Sequence, residues 1–156
     1  MAAVFNLVTI SPSAGSAQLS NKRLYPYFLR TTSPHTVWVP VAVELCKHFR
    51  WSRVAAITEV APVPLGTMSA FVENAANAGI EVVVNKQLEW GSDYFKTIHE
   101  TLHAIISTDA RIIVIYALAT FMRQFFCDAS RRGLVGSKYV YMLPGRERGS
   151  GGKLGG

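Results

Sequence analysis

Short, nearly continuous apolar runs alternate along this chain with stripes of helical period. The run Val4-Phe-Asn-Leu-Val-Thr-Ile10 predicts a mostly buried strand. The Ser-, Ala- and Gly-rich stretch 11–21 predicts a surface loop, Tyr25 to Thr31 a short extended segment, and Thr32-Ser33-Pro34 a crossover. Val37, Val41, Leu45 and Cys46 then recur at helical spacing, ending near His48-Phe49. Proline is tolerated only in a first turn, so Pro40 puts the helix start at Val39 or Pro40. Arg53 to Glu59 is apolar enough for a central strand of a parallel sheet. A loop containing Pro62 and Pro64 leads to a helix over 66–78, with Met68, Phe71, Val72 and Ala75 on one face and a stop at Gly79. Ile80 to Val84 predicts the next strand. Tyr94, Ile98, Leu102, Ile105 and Ile106 form a stripe behind a cap at Ser92 or Asp93. Arg111 to Tyr116 is a buried strand, and Phe121, Met122, Phe125, Phe126 and Ala129 face one side of a helix stopped by Gly133. Lys138 to Leu143 is a last strand, closed by Pro144-Gly145.

Such an alternation of strand and helix predicts an α/β fold, a doubly wound and mostly parallel sheet with helices on both faces. A length of 156 residues with 49% apolar composition supports one domain with a real core. The net charge of +6 raises nucleic acid as a partner, and its distribution removes it. Lys22-Arg23, Arg50 to Arg53 and Arg131-Arg132 are short clusters at element ends, with no basic stripe along any one helix. Arg131 and Arg132 sit where cations favour a helix's carbonyl end. Six of the twelve glycines fall in the last twelve residues, so 146–156 reads as a flexible Gly-rich tail. No apolar window is long enough to span a membrane, and the apolar start lacks the positive region of a signal peptide. Cys46 and Cys127 make no disulfide framework, and Cys46, within an apolar pattern, reads as a buried thiol.

The candidate chemistry is thin. After the strand 53–59 the turn has two prolines and only one glycine, which cannot cradle a phosphate as a Gly-rich nucleotide loop does. Gly149-Ser-Gly-Gly-Lys153 has no strand or helix to support it. His99-Glu-Thr-Leu-His103 matches a zinc-protease motif in form, but its histidines flank the apolar stripe, and His35 and His48 belong to other elements. Ser13 and Ser16 lie on no nucleophile elbow, and Cys127 has no histidine base implied nearby. Glu59 ends a strand, where folds of this type place ligand-facing residues. No catalytic residue, metal or cofactor is expected.

Several strings carry more specific information. Leu19-Ser-Asn-Lys-Arg-Leu-Tyr-Pro-Tyr-Phe-Leu-Arg-Thr31 and Lys47-His-Phe-Arg-Trp-Ser-Arg-Val54 resemble the extracellular venus-flytrap domain of the type B gamma-aminobutyric acid receptors. Asp109-Ala-Arg-Ile-Ile-Val114, Phe126-Cys127, and Gly136-Ser-Lys-Tyr139 with Pro144-Gly145 extend the resemblance in one register from Asn6 to about Gly145. The resemblance implies one incomplete lobe of periplasmic-binding-protein type I kind. Residues 1–34 would be a remnant of the first lobe and its crossover, and 35–145 the second lobe. Function would lie in lobe closure and subunit contact within a plasma-membrane receptor, on its extracellular side. The implied partner is a related subunit in a heterodimer, and a G protein would be reached only through a membrane domain outside these residues.

The resemblance also implies ligand positions, and this sequence substitutes each of them. The serine that holds the ligand carboxylate falls at Gly15, a histidine at Thr32, a tyrosine at Leu118, although Tyr116 is two residues away, and a tryptophan at Arg146. Glycine, threonine, leucine and arginine cannot rebuild a site of hydroxyl, imidazole and aromatic face. The pattern, with Tyr25-Pro-Tyr-Phe28, is similar to the subunit that does not bind the transmitter, or to a paralogue. The cysteine matching Cys127 is bridged in the family's full receptors. The alternatives are a small nucleotide-binding α/β enzyme, or a truncated product without activity of its own.

Overall fold

The computed structural model describes residues 7–89, 91 and 93–143. The main sheet has four parallel strands in the order β4-β3-β5-β6, formed by β3 (Arg53–Glu59), β4 (Glu81–Leu88), β5 (Ile112–Tyr116) and β6 (Val140–Met142). Four helices join and cover them: α1 (Trp38–His48), α2 (Pro62–Asn77), α3 (Tyr94–Ser107) and α4 (Ala119–Arg131). Two short strands, β1 (Thr9–Ser11) and β2 (Phe28–Arg30), form a separate parallel pair. The α/β, doubly wound expectation therefore stands.

The central strands explain why two cores form. Every residue of β5 is buried, as are Val54 to Glu59 of β3, so both faces of these strands must be covered. Alternate side chains separate into two clusters. Ala55, Ile57, Ile113 and Ile115 pack with Ile98, Leu102 and Ile105 of α3 and Phe121 and Phe125 of α4. Val54, Ala56 and Val114 pack on the other face with Val39, Val43 and Cys46 of α1 and Met68, Phe71 and Ala75 of α2. This is the period-two alternation of a strand read through a doubly covered sheet.

Several boundaries and faces differ from expectation. The first strand is β1, three residues long, and Ile10 is 64% exposed. A two-stranded pair buries little, so the expectation of a mostly buried strand is corrected; residues 4–6 of its span lie outside the described residues. On α1 the helix is as expected but the buried face is not. Val37, Val41 and Leu45 are exposed, and Val39, Ala42, Val43 and Cys46 face the sheet. α2 starts at Pro62 rather than 66, because proline at the first helical position costs no hydrogen bond. β4 runs on to Leu88, four residues past the apolar run, with an extra residue between Val54 and Ala55's partners. Gly79 and Gly133 close α2 and α4 with φ of 72° and 71°, the left-handed stop expected of them. Asp93 stands at the cap of α3 without a side-chain cap bond, and Ser92 and the tail 146–156 lie outside the described residues.

Two consequences are measurable. Cys46 is fully buried, which pushes its thiol pKa up, while Cys127 is exposed on α4; both are free thiols. A disulfide reagent should therefore label one cysteine in the native protein and both in denaturant. Burial, reinforced by the carboxylates of Asp128 and Glu59, pushes the Tyr94 phenol up to about 12. Burial, with Tyr139 beside it, does the same for Tyr141, whose hydroxyl donates to the Leu134 carbonyl. The unfolded phenols release their protons near 10, so the folded state binds more protons between 10 and 12. Stability from these groups is complete below 10 and is lost as pH rises towards 12. The thermal midpoint should fall over that window. Tyrosinate absorbance of the folded protein should there fall short of all six tyrosines, and the difference should appear on unfolding.

Candidate functional site

Strand order reverses between β3 and β5: β4 lies outside β3, and β6 outside β5. A doubly wound sheet opens a crevice at the carboxyl ends of the two strands flanking such a reversal. Here those ends carry Thr58 and Glu59 on β3, and Tyr116 on β5 with Ala117 and Leu118 beyond it. The sequence alone singled out Glu59 at this place, and the structure gives it a definite task. Glu59 is 6% exposed, and its carboxylate accepts the Leu118 backbone N–H at 2.8 Å, fixing the entry to α4. Negative charge near a helix start is favourable, and the N–H is one that a helix cannot satisfy itself. The Thr58 hydroxyl donates to the Tyr116 carbonyl at 3.0 Å and ties the same two strand ends.

The crevice is closed on one side by the segment leading into α1. After Pro34 the chain makes one 3-10 turn, His35–Val37, and runs directly into the helix. That turn delivers two rings to the end of β5. The Trp38 indole stacks on Tyr116 with ring centroids 5.6 Å apart and planes 11° apart, and on Phe71 of α2 at 5.9 Å. Its Nε1 is buried without a hydrogen-bond partner among the described residues. The His35 ring meets Tyr116 edge-on, and its Nδ1 is hydrogen-bonded to the Tyr116 hydroxyl.

Gly15 completes the arrangement from the other direction. It is buried, and its carbonyl accepts the His35 backbone N–H at 2.9 Å. A Cβ on Gly15 would fall within the His35 ring. The glycine thus makes room for an imidazole, and any side chain at this position would have to displace the His35 ring. Arg30, at the end of β2, holds the loop in place. Its guanidinium donates to the carbonyls on either side of Gly15, Ala14 at 3.1 Å and Ser16 at 2.8 Å, and also to the Ser20 hydroxyl.

Of the positions implied by sequence, Gly15 and the end of β5 are brought together, through His35. Leu118, two residues past Tyr116, is 59% exposed, and its backbone N–H donates to Glu59. Thr32 is half-buried in the crossover, and Arg146 lies outside the described residues. His99 and His103 are both exposed on α3. Among the described residues no group of three or more His, Cys, Asp or Glu could hold a metal ion. Sequence reasoning missed His35 as a site residue. Its one signal was position, an imidazole directly after the Ser33-Pro34 crossover and at the mouth of a helix. A groove of about 250 Å³ lies between α2 and β4 against Thr58, Met68, Ser69, Glu73, Asn85 and Gln87; it shares Thr58 with the crevice and is lined by neither Gly15, Thr32, His35 nor Leu118.

Comparison with known families matches residues 1–150 to the receptor family ligand binding region, ANF_receptor. Among individual proteins, gamma-aminobutyric acid type B receptor subunit 1 of Mus musculus is 31% identical over 144 residues, 92% of this chain and 14% of that protein. Subunit 2 of Rattus norvegicus is 27% identical over 146 residues, 90% of this chain and 14% of that protein. Receptor-type guanylate cyclase gcy-8 of Caenorhabditis elegans is 29% identical over 147 residues, 92% of this chain and 13% of that protein. The chain thus spans about a seventh of the length of the type B receptor subunits it matches.

Proposed function

The chain belongs to the receptor family ligand-binding regions, and from that premise we propose that it serves lobe closure and subunit contact in an extracellular receptor domain, not catalysis. Residues 1–34 are assigned to a first lobe and its crossover, and 35–145 to the second. The crevice between β3 and β5 is where such lobes would close over a ligand. The observation that supports the proposal is that the end of β5 beside this crevice is packed by the chain's own rings, His35, Trp38 and Tyr116, with Gly15 directly against His35. A side-chain anchor for a ligand carboxylate needs a hydroxyl or a cation, and Gly15 supplies no side chain. Thr32 and Leu118 add neither an imidazole nor an aromatic face at the other two positions.

The non-transmitter-binding character rests on these substitutions, since subunits 1 and 2 match the chain at similar identity. The partner is then a related receptor subunit in a heterodimer at the plasma membrane, with coupling to a G protein in a membrane domain outside these residues. Among the described residues no helix is long and apolar enough to cross a membrane. Function on this reading is a two-state affair, in which closure or contact with a partner shifts a population of lobe arrangements. Titration calorimetry with gamma-aminobutyric acid on the folded chain should show no saturable heat. A saturable isotherm would overturn the proposal.

A further inference from the structure

We propose that His35 is a specificity-determining residue that acts as a built-in occupant of the crevice, barring an amino-acid-like ligand from the space between Gly15 and Tyr116. The inference rests on the receptor reading above but is carried by different observations. The imidazole sits where any side chain at position 15 would have to start. The residue is anchored at both ends, its backbone N–H donating to the Gly15 carbonyl and its ring Nδ1 hydrogen-bonded to the Tyr116 hydroxyl. Those anchors lie 20 residues before it and 81 after it, so one residue, by its main chain and its ring, joins the segment around Gly15 to the end of β5. Both anchors are themselves braced. Arg30 grips the carbonyls flanking Gly15, and Trp38 covers the Tyr116 ring.

Position 15 and position 35 are therefore one steric unit. A hydroxyl-bearing or methyl-bearing residue at 15 and an imidazole at 35 compete for one volume. With the imidazole in place, two segments that would separate and close around a ligand are already joined. A ligand would have to displace the ring and break its bond to Tyr116 before it could touch the floor of the crevice. Exclusion is thus a property of the chain's own side chains, independent of whether any partner is bound.

A double-mutant cycle on the full chain tests this, with stability read as the urea midpoint. Gly15→Ala alone should lower the midpoint markedly, and His35→Ala alone should lower it as well. In the His35→Ala background, Gly15→Ala should lose its effect, a coupling of about tenfold or more in the folding equilibrium. An unchanged cost of Gly15→Ala without the imidazole would overturn the proposal. Free imidazole supplies a second arm. It should raise the midpoint of His35→Gly saturably and leave that of the native chain unmoved; equal response of the two would contradict the inference. If the variants do not fold, the native chain still decides the question by histidine acylation. His48, His99 and His103 are exposed and should react rapidly, and His35 slowly; equal rates at all four would overturn it. The cycle uses no transmitter, so its failure and the failure of the receptor reading are separate results.

Discussion

Phe125→Ala is expected to remove about 3–5 kcal/mol of folding stability. Phe125 has no exposed surface and lies in the cluster that joins α3 and α4 to β3 and β5. Its neighbours Phe121, Ile113 and Leu102 are fully buried too, and come from three different elements. They cannot collapse together into the space left by a ring, so a cavity term adds to the lost transfer energy. A domain of this size has about 5–15 kcal/mol in all, so the variant should sit close to its unfolding midpoint at ordinary temperature. Denaturant unfolding followed by far-ultraviolet circular dichroism gives the value. A loss below about 1 kcal/mol, the range of a volume-conserving swap, would mean that Phe125 is not in the core.

Tyr116→Ala should have an effect of the same order, about 3–5 kcal/mol, for a different combination of reasons. The Tyr116 ring, 5% exposed, closes the second core and carries the stack of Trp38, itself stacked on Phe71. A ring pair of this kind adds about 0.5–1.5 kcal/mol beyond burial. The hydroxyl contributes separately through His35, about 1 kcal/mol net for an ordinary hydrogen bond. Tyr116→Phe should therefore cost about 1 kcal/mol, far less than Tyr116→Ala. If Tyr116→Phe cost as much as Tyr116→Ala, the ring's packing would be unimportant and the hydroxyl would dominate.

The parts of the fold legible in the sequence are those where one physical signal acts alone. The runs at β3 and β5 are buried on both faces, so each reads as continuous apolar residues, and their bounds fall within a residue of expectation. The stripes of α3 and α4 read correctly for the opposite reason, one wet face and one dry face, except that Ile106, expected in the α3 stripe, is 48% exposed on the edge past Ile105. Where two signals compete, reading fails. α1 offers two apolar stripes, 37-41-45 and 39-42-43-46, and nothing local says which meets the sheet. β4 continues through Asn85, Lys86 and Gln87 because backbone pairing to β3 holds an edge strand whose side chains stay exposed. The Pro62 start of α2 was hidden by a residue equally at home in loops.

The site was legible only in outline. Sequence placed Glu59 at a strand end and Gly15 at a substituted ligand position, and both lie where the strand order reverses or face it. His35 was invisible because its role depends on contacts 20 and 81 residues away, and no spacing rule reaches that far. A lone histidine before a helix carries no motif. Its meaning comes from the absent side chain of Gly15.

Nuclear Overhauser contacts of the His35 ring in the native chain test most directly whether the crevice is filled by the protein itself. Cross-peaks from its ring protons to the Gly15 α-protons and to the Tyr116 ring are expected, with no change on addition of gamma-aminobutyric acid. A His35 ring with none of those contacts, or one that loses them as the amino acid is added, would contradict self-occupation of the crevice.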